Sequence, residues 1–212
     1  MALPIFGMTQ TWNLLGPDTA NISRIDFAVA GQRHVLCADD GFYLYHYGNN
    51  TYAYFTNAGL PVTGAAYYNN EKILLTMGNG SYSDGVYTFD INTHEFWPIE
   101  YFVYPNYLYY GEPDPDGYWI GCDYGGLYHS TNGMEWDTVE MFNSLPCFSM
   151  AGHDQHLIVQ VISGLTNGYW SDDNGQSWYP SELAPGFPSM DFHYSGDLLG
   201  VFPGDSNSSG LW

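Results

Sequence analysis

Basic residues are nearly absent from this chain. Arg24, Arg33 and Lys72 are the whole positive complement, set against 23 acidic residues, for a formal charge of −20 over 212 residues. Neutralising a phosphate backbone takes several cations on one face. Nucleic acid is therefore not expected as a partner, and an anionic membrane surface is a poor one. A cation, calcium above all, or a neutral ligand such as a sugar stays open, and the net charge also serves solubility. Cysteine is scarce as well: Cys37, Cys122 and Cys147 are an odd number, too few for a disulfide framework. No apolar run reaches the ~18 residues that cross a bilayer, so membrane insertion is not expected. The opening Met1 to Gly7 has no basic start and no long apolar stretch, so no signal peptide is expected there. Helical periodicity is missing throughout, which excludes an α-helical core. The compartment stays open. An extracellular or cell-surface setting is slightly favoured; Asn21, Asn49, Asn79 and Asn207 each begin a triplet that permits N-glycosylation in a secretory context, though such triplets are common by chance.

What is present is aromatic and periodic. The chain has 20 Tyr, 12 Phe and 7 Trp, residue types that suit pleated, half-buried strands. Gly41, Gly85, Gly126, Gly168 and Gly210 recur at intervals of 44, 41, 42 and 42, and each opens a short apolar run. Pro17, Pro61, Pro105, Pro146 and Pro188 keep the same time, at 44, 44, 41 and 42. A period of about 40 to 45 residues with four short strands per unit is the mark of a β-propeller. The expectation is an all-β, five-bladed propeller in one domain over 1–212, with blades at about 21–55, 62–99, 106–140, 147–180 and 189–212.

Strands follow from apolar runs bounded by Asn, Gly and Asp turns. Blade two predicts Val62–Tyr68, Lys72–Thr76, Gly85–Phe89 and Glu95–Ile99. Blade three predicts Tyr107–Gly111, Tyr118–Gly121, Gly126–His129 and Trp136–Glu140. Blade four predicts Phe148–Ala151, His156–Val161, Gly168–Trp170 and Ser177–Pro180, and blade one Arg24–Val29, His34–Cys37, Phe42–Tyr47 and Tyr52–Phe55. The last unit holds only Asp191–Tyr194, Leu198–Phe202 and Gly210 onward. Its fourth strand is expected from residues 9–15, where Trp12 precedes Pro17 as Trp136 precedes Pro146 and Trp178 precedes Pro188. Closure by that strand hides the edges of an open ring. Cys37 and Cys122 fall at matching points of non-adjacent repeats, too far apart to bridge. Cys122 and Cys147, in neighbouring repeats, could meet. Burial as small hydrophobes is the expected role of all three.

Two stretches resemble known repeats. Ser171-Asp172-Asp173-Asn174-Gly175-Gln176-Ser177-Trp178 is similar to the Asp-box of the sialidase-type (BNR) repeat families. Ser130-Thr131-Asn132-Gly133-Met134-Glu135-Trp136 is a form one residue shorter, with Asn for Asp. The resemblance implies structural turns between third and fourth strands, facing away from a ligand: Asp173 or Asn132 pins backbone N–H groups, Gly175 or Gly133 takes the strained conformation, and Trp178 or Trp136 packs between sheets. Asp116 to Tyr128, with Gly59-Leu60-Pro61 as a blade opening, resembles the two-component-regulator type of propeller repeat. Sialidases hold the substrate carboxylate with three arginines. This chain has two, so sialidase activity is excluded by counting.

The candidate ligand face is the one shared by the second-to-third-strand loops and the blade-to-blade loops. It is expected to carry Asp39, Asp40, Asp84, Asp123, Tyr124 and Asp205, with Tyr101, Tyr104 and Phe142. Aromatic faces stack on sugar C–H groups while carboxylates bridge hydroxyls. The leading expectation is therefore a non-enzymatic, carbohydrate-binding, lectin-like module, and five-bladed lectins resemble the chain in size and blade count. Ordinary turn chemistry would also place Asp beside Gly. One alternative is a glycoside-active enzyme, which needs two carboxylates about 5 Å or about 6.5–9.5 Å apart. Another is an acidic protein-interaction or assembly subunit. No catalytic residue and no cofactor is expected beyond possible calcium at Asp172-Asp173-Asn174 or Asp39-Asp40. The oligomeric state is left open.

Overall fold

The computed structural model describes residues 22–26, 33–46, 51–69, 71–80, 84–102, 105–110, 117–153, 155–163, 166–180, 191–194, 198–202 and 210–211. Among them are strands and one 3-10 turn, and no α-helix. The strands form five separate antiparallel sheets in chain order. Sheet one is β1 (Ile22–Asp26), β2 (Arg33–Ala38), β3 (Gly41–His46) and β4 (Thr51–Phe55). Sheet two is β5 (Val62–Asn69), β6 (Lys72–Met77), β7 (Gly85–Asp90) and β8 (Phe96–Tyr101). Sheet three is β9 (Pro105–Tyr110), β10 (Tyr118–Cys122), β11 (Gly126–Ser130) and β12 (Asp137–Thr138). Sheet four is β13 (Cys147–His153), β14 (His156–Ser163), β15 (Thr166–Ser171) and β16 (Tyr179–Pro180). Sheet five has β17 (Asp191–Tyr194), β18 (Leu198–Phe202) and β19 (Gly210–Leu211). The expected strand within 9–15 lies outside the described residues.

Each sheet is a meander whose first strand neighbours the first strand of the next. β1 lies against β5, β5 against β9, β9 against β13 and β13 against β17. Burial falls from the inner strands to the outer ones. β6 and β10 are buried almost throughout, whereas β4 is exposed at four of its five positions. A strand buried on both faces reads as a continuous apolar run rather than an alternation. Lys72-Ile-Leu-Leu-Thr-Met77 is such a run.

The two faces of these strands serve two different cores. Successive side chains point to opposite faces, so Ile73, Leu75 and Met77 join Val35, Phe42 and Phe89 between sheets one and two. Leu74, between them in sequence, joins Val86, Tyr118 and Ile120 between sheets two and three. Trp119 turns the other way, toward Met150, Leu157 and Val159 between sheets three and four. Cys37, Cys122 and Cys147 each sit buried in a different one of these cores, and none is in a disulfide.

The glycine period has a steric cause. A Cβ on Gly41 would run into the carbonyl oxygen of Phe55, one on Gly85 into that of Glu100, and one on Gly126 into that of Phe142. In all three sheets the backbone leaving the outer strand presses on the first residue of the third strand. Three of the prolines mark the entry to a first strand: Pro61 directly precedes β5, Pro105 begins β9 and Pro146 directly precedes β13. The Pro61 carbonyl accepts the Gly78 N–H at 3.1 Å, which ties that entry to the end of β6.

Two outer strands are shorter than expected. Trp136–Glu140 is reduced to Asp137–Thr138. The Val139 N–H still reaches the Leu127 carbonyl at 2.8 Å, and then Glu140–Phe142 winds into a 3-10 turn that drives Phe142 into the core. In sheet four Ser177 belongs to the preceding turn, so only Tyr179–Pro180 remains as strand.

Candidate functional site

The hairpin turns joining second and third strands lie at the same end of each sheet as the connections to the next sheet. In sheet one that turn is Asp39-Asp40, both exposed. The Asp40 carbonyl accepts the Tyr54 hydroxyl at 2.9 Å and the Thr56 hydroxyl at 2.6 Å, and the Gly59 N–H donates to Thr56 Oγ1 at 3.1 Å. The turn is thus braced from the outer strand through its backbone. In sheet three the equivalent turn holds Asp123, half-buried, and Tyr124, 69 % exposed.

Sheet two contributes Tyr101, 62 % exposed at the end of β8 opposite Gly85. Its neighbour Phe102 is buried against Tyr128 and Trp136 of sheet three, with ring centroids 4.5 and 5.9 Å away. The Phe102 N–H donates to the Asp84 carbonyl at 3.0 Å. Anchoring Phe102 inward throws Tyr101 outward at the boundary between sheets two and three. Tyr101 and Tyr124 are the two most exposed aromatic side chains among the described residues.

Two expected ligand contacts lie inside the protein instead. Asp84 is 1 % exposed, and its carboxylate accepts the N–H of Asn79 at 3.0 Å and of Gly80 at 2.6 Å. Its acid fixes the backbone at Asn79 and Gly80, just after β6. Burial raises the Tyr87 phenol pKa, and the neighbouring Tyr101 and Asp84 add to the effect. Phe142 is fully buried, edge-on to Tyr169 at 5.2 Å and to Trp178 at 5.1 Å. It is a core residue rather than the exposed loop aromatic expected, driven inward by the Glu140–Phe142 3-10 turn. Tyr104 and Asp205 lie outside the described residues.

At the opposite end, the turns joining third and fourth strands are held by their own side chains and, in sheets two and four, by a backbone bond to the first hairpin turn, Ile91 N–H to the Glu71 carbonyl at 2.9 Å and Asn174 N–H to the Gln155 carbonyl at 3.0 Å. Ser171 Oγ donates to Asp173 Oδ1 at 2.8 Å and accepts the N–H of Asp173 at 3.3 Å and of Gly175 at 2.8 Å. Asp173 Oδ1 also accepts the Ser177 N–H at 2.8 Å. That bond, with the Ser171 hydroxyl, holds the Asp173 carboxyl below the usual carboxylate range against its partial desolvation. The shorter turn repeats the pattern. Ser130 Oγ accepts the Gly133 N–H at 2.8 Å, and Asn132 Oδ1 accepts those of Met134 at 2.8 Å and Glu135 at 2.9 Å. Gly133 and Gly175 take φ of 73° and 76°, and a Cβ on Gly175 would overlap the Trp119 ring. Trp136 packs against Tyr118 and Phe102, and Trp178 against Trp119 and Phe142. In sheet two, Asp90 does the same work, accepting the N–H of Asn92 at 2.9 Å and of Thr93 at 3.0 Å.

Among the described residues, no group of three or more His, Cys, Asp or Glu side chains is placed to hold a metal ion. No helix is long and apolar enough to cross a membrane. Sequence reasoning missed a second set of exposed aromatics, Tyr52, Tyr54, Trp97 and Tyr179 on outer strands, with Trp170 on β15 packed beside Tyr179 at a centroid distance of 4.9 Å. For the outer-strand rings the signal was position, since an outermost strand exposes residues on both faces.

No family model matches the chain, and no curated protein matches it. Solved structures do. An ancestral GH74 enzyme superposes with a TM-score of 0.63 at 14 % identity, over 94 % of this chain and 32 % of that one. The GH74 xyloglucanase from Xanthomonas campestris gives 0.66 at 15 % identity, over 91 % and 35 %. The extracellular domain assigned to a hybrid two component system of B. thetaiotaomicron gives 0.63 at 12 % identity, over 94 % and 29 %. The chain spans about a third of the length of these proteins. At such identities the likeness is one of fold, and the fold is that of a β-propeller.

Proposed function

We propose that this chain is a non-enzymatic carbohydrate-binding module, built as a five-bladed propeller and binding through the loop face that carries Tyr101 and Tyr124. The observation that carries the reading is that the two most exposed aromatic rings among the described residues, Tyr101 ending β8 and Tyr124 in the β10–β11 turn beside Asp123, lie at the loop end of neighbouring sheets. Exposed tyrosines are rigid, amphipathic contact surfaces. They stack on apolar sugar faces at small entropic cost while their hydroxyls stay hydrated. The near absence of positive charge supports a neutral ligand over an anionic one. Asp39 and Asp40, exposed on the neighbouring sheet-one turn, extend the face with hydroxyl-binding carboxylates. Two of the solved structures with this fold are GH74 proteins, one named a xyloglucanase, so the architecture is used on polysaccharide elsewhere.

Five consecutive sheets with neighbouring first strands support five blades. The three-stranded last sheet supports closure by a strand within 9–15. Tyr104 and Asp205 are proposed to complete the loop face, and calcium is proposed as an optional bridging ion at its aspartates.

A glycan array with labelled protein, run with calcium and with chelator, tests the reading. Selective binding is expected, and Tyr124→Ala or Tyr101→Ala should each weaken it about tenfold or more, with unchanged thermal unfolding. Loss on chelation would place an ion among the exposed aspartates. Silence in both conditions, or binding indifferent to both substitutions, would overturn it.

A further inference from the structure

The outermost strands of the four-stranded sheets are protected to very different degrees. An edge strand presents unpaired backbone groups, and proteins blunt such edges with proline, charge, bulges or shortness. β8 carries Pro98 and Glu100, with a register shift opposite Val86 and Tyr87. β12 is two residues long, and β16 is two residues with Pro180. β4, Thr51-Tyr52-Ala53-Tyr54-Phe55, has none of these devices. It pairs with β3 in unbroken register from Phe55 to Thr51, contains no charge and no proline, and no described strand pairs with its outer side.

β4 is also palindromic at its centre, with Tyr52 and Tyr54 flanking Ala53. An isologous two-fold contact demands that residue i meet j and j meet i. In an antiparallel β4–β4 pair centred on Ala53, each Tyr52 stands opposite the partner's Tyr54, and Ala53 opposite the partner's Ala53. Aromatic cross-strand pairs stabilise such ladders. Both rings are exposed, Tyr52 at 43 % and Tyr54 at 41 %, yet already ordered. Tyr43 lies 4.8 Å from Tyr54 and 5.9 Å from Tyr52, and the Tyr54 hydroxyl is held by the Asp40 carbonyl. Pre-ordered side chains lose little freedom on association.

We propose that β4 is a self-association edge: two copies of this chain pair their β4 strands antiparallel about Ala53, joining two sheets into one eight-stranded sheet. The charge of −20 per copy opposes this approach. Added salt screens that repulsion, so the dimer should tighten with ionic strength, unlike a contact made of ion pairs. The proposal uses the outer rim rather than the loop face and stands independently of the ligand reading.

Sedimentation velocity over a concentration series at low and high salt tests it. The intact chain should show a monomer–dimer equilibrium that shifts toward dimer with salt. Ala53→Glu, which sets like charges opposite each other on the two-fold, should weaken the dimer about tenfold or more. Trp97→Ala on β8 should leave it unchanged. Ala53→Cys provides a second readout that does not depend on the Glu variant folding. Mild oxidation should yield a covalent dimer through residue 53, since the three native thiols are buried. A monomer at every concentration and salt overturns the proposal. So does a dimer indifferent to Ala53→Glu whose Ala53→Cys form does not cross-link.

Discussion

Asn132 and Asp173 perform the same task in two charge states. Each presents one side-chain oxygen to backbone N–H groups of its turn, and each is flanked by a serine hydroxyl that donates to that oxygen, at 3.2 Å for Asn132 and 2.8 Å for Asp173. The neutral amide in sheet three shows that the geometry does not require ionisation. Asp173→Asn should therefore keep the turn at neutral pH.

Acid should separate the two. The folded Asp173 carboxyl titrates below its ordinary range because the Ser177 N–H, then the Ser171 hydroxyl, favour the anion. Asp90 is lowered in the same direction by the N–H groups of Thr93 and Asn92. A carboxyl whose folded pKa is depressed adds stability above its unfolded pKa, and that stability is lost as pH falls through the folded value. The melting temperature of the intact chain should thus drop below about pH 4, and Asp173→Asn should flatten part of that drop. Circular dichroism melts at neutral and acid pH measure it. An equally steep loss in the variant would rule out Asp173 as a contributor.

Glycines of similar appearance should differ sharply. Gly85→Ala places a methyl group against the Glu100 carbonyl, where backbone has no freedom to retreat. A loss of about 2 kcal/mol or more is expected. Gly59→Ala meets no atom within 4 Å and suffers only its φ of 73°, a cost of about 1–2 kcal/mol at most. Urea unfolding of both variants checks the order.

The thiols should be inert. Burial raises the Cys147 pKa to about 12 and moves Cys122 in the same direction, with Cys147 itself adding to the Cys122 shift. The thiolate is the reactive form, so neither should react with a thiol reagent near pH 8 until the protein unfolds. Prompt labelling of the native chain would contradict the packing of two inter-sheet cores.

The proposed closure of the fifth sheet by a strand within 9–15 predicts that these residues matter to the far end of the chain. Deleting them should lower the melting temperature and expose the β19 edge, raising aggregation. A deletion variant with unchanged melting and solubility would argue against a strand there.

Much of the scaffold was legible in the primary sequence because its causes are local and repeat. The Gly and Pro periods track a backbone approach seen in sheets one to three and a strand entry seen in sheets two to four, and the side chains of the Ser-x-Asp and Ser-x-Asn turns bond within a few residues of themselves. β17 and β18 fall on the residues that the apolar runs predicted. The assignment of exposure depended on tertiary packing. Asp84 and Asp123 read alike as acids beside turn glycines, yet Asp84 is consumed by its own loop. Phe142 and Tyr101 both read as loop aromatics, and a 3-10 turn buries one while an anchored Phe102 expels the other. The exposed palindrome of β4 is written in the chain, but that it forms an unguarded edge follows only from its place outermost in the sheet. Local chemistry sets where the chain turns and pleats. Which side chains remain outside depends on the neighbouring sheet that arrives to cover them.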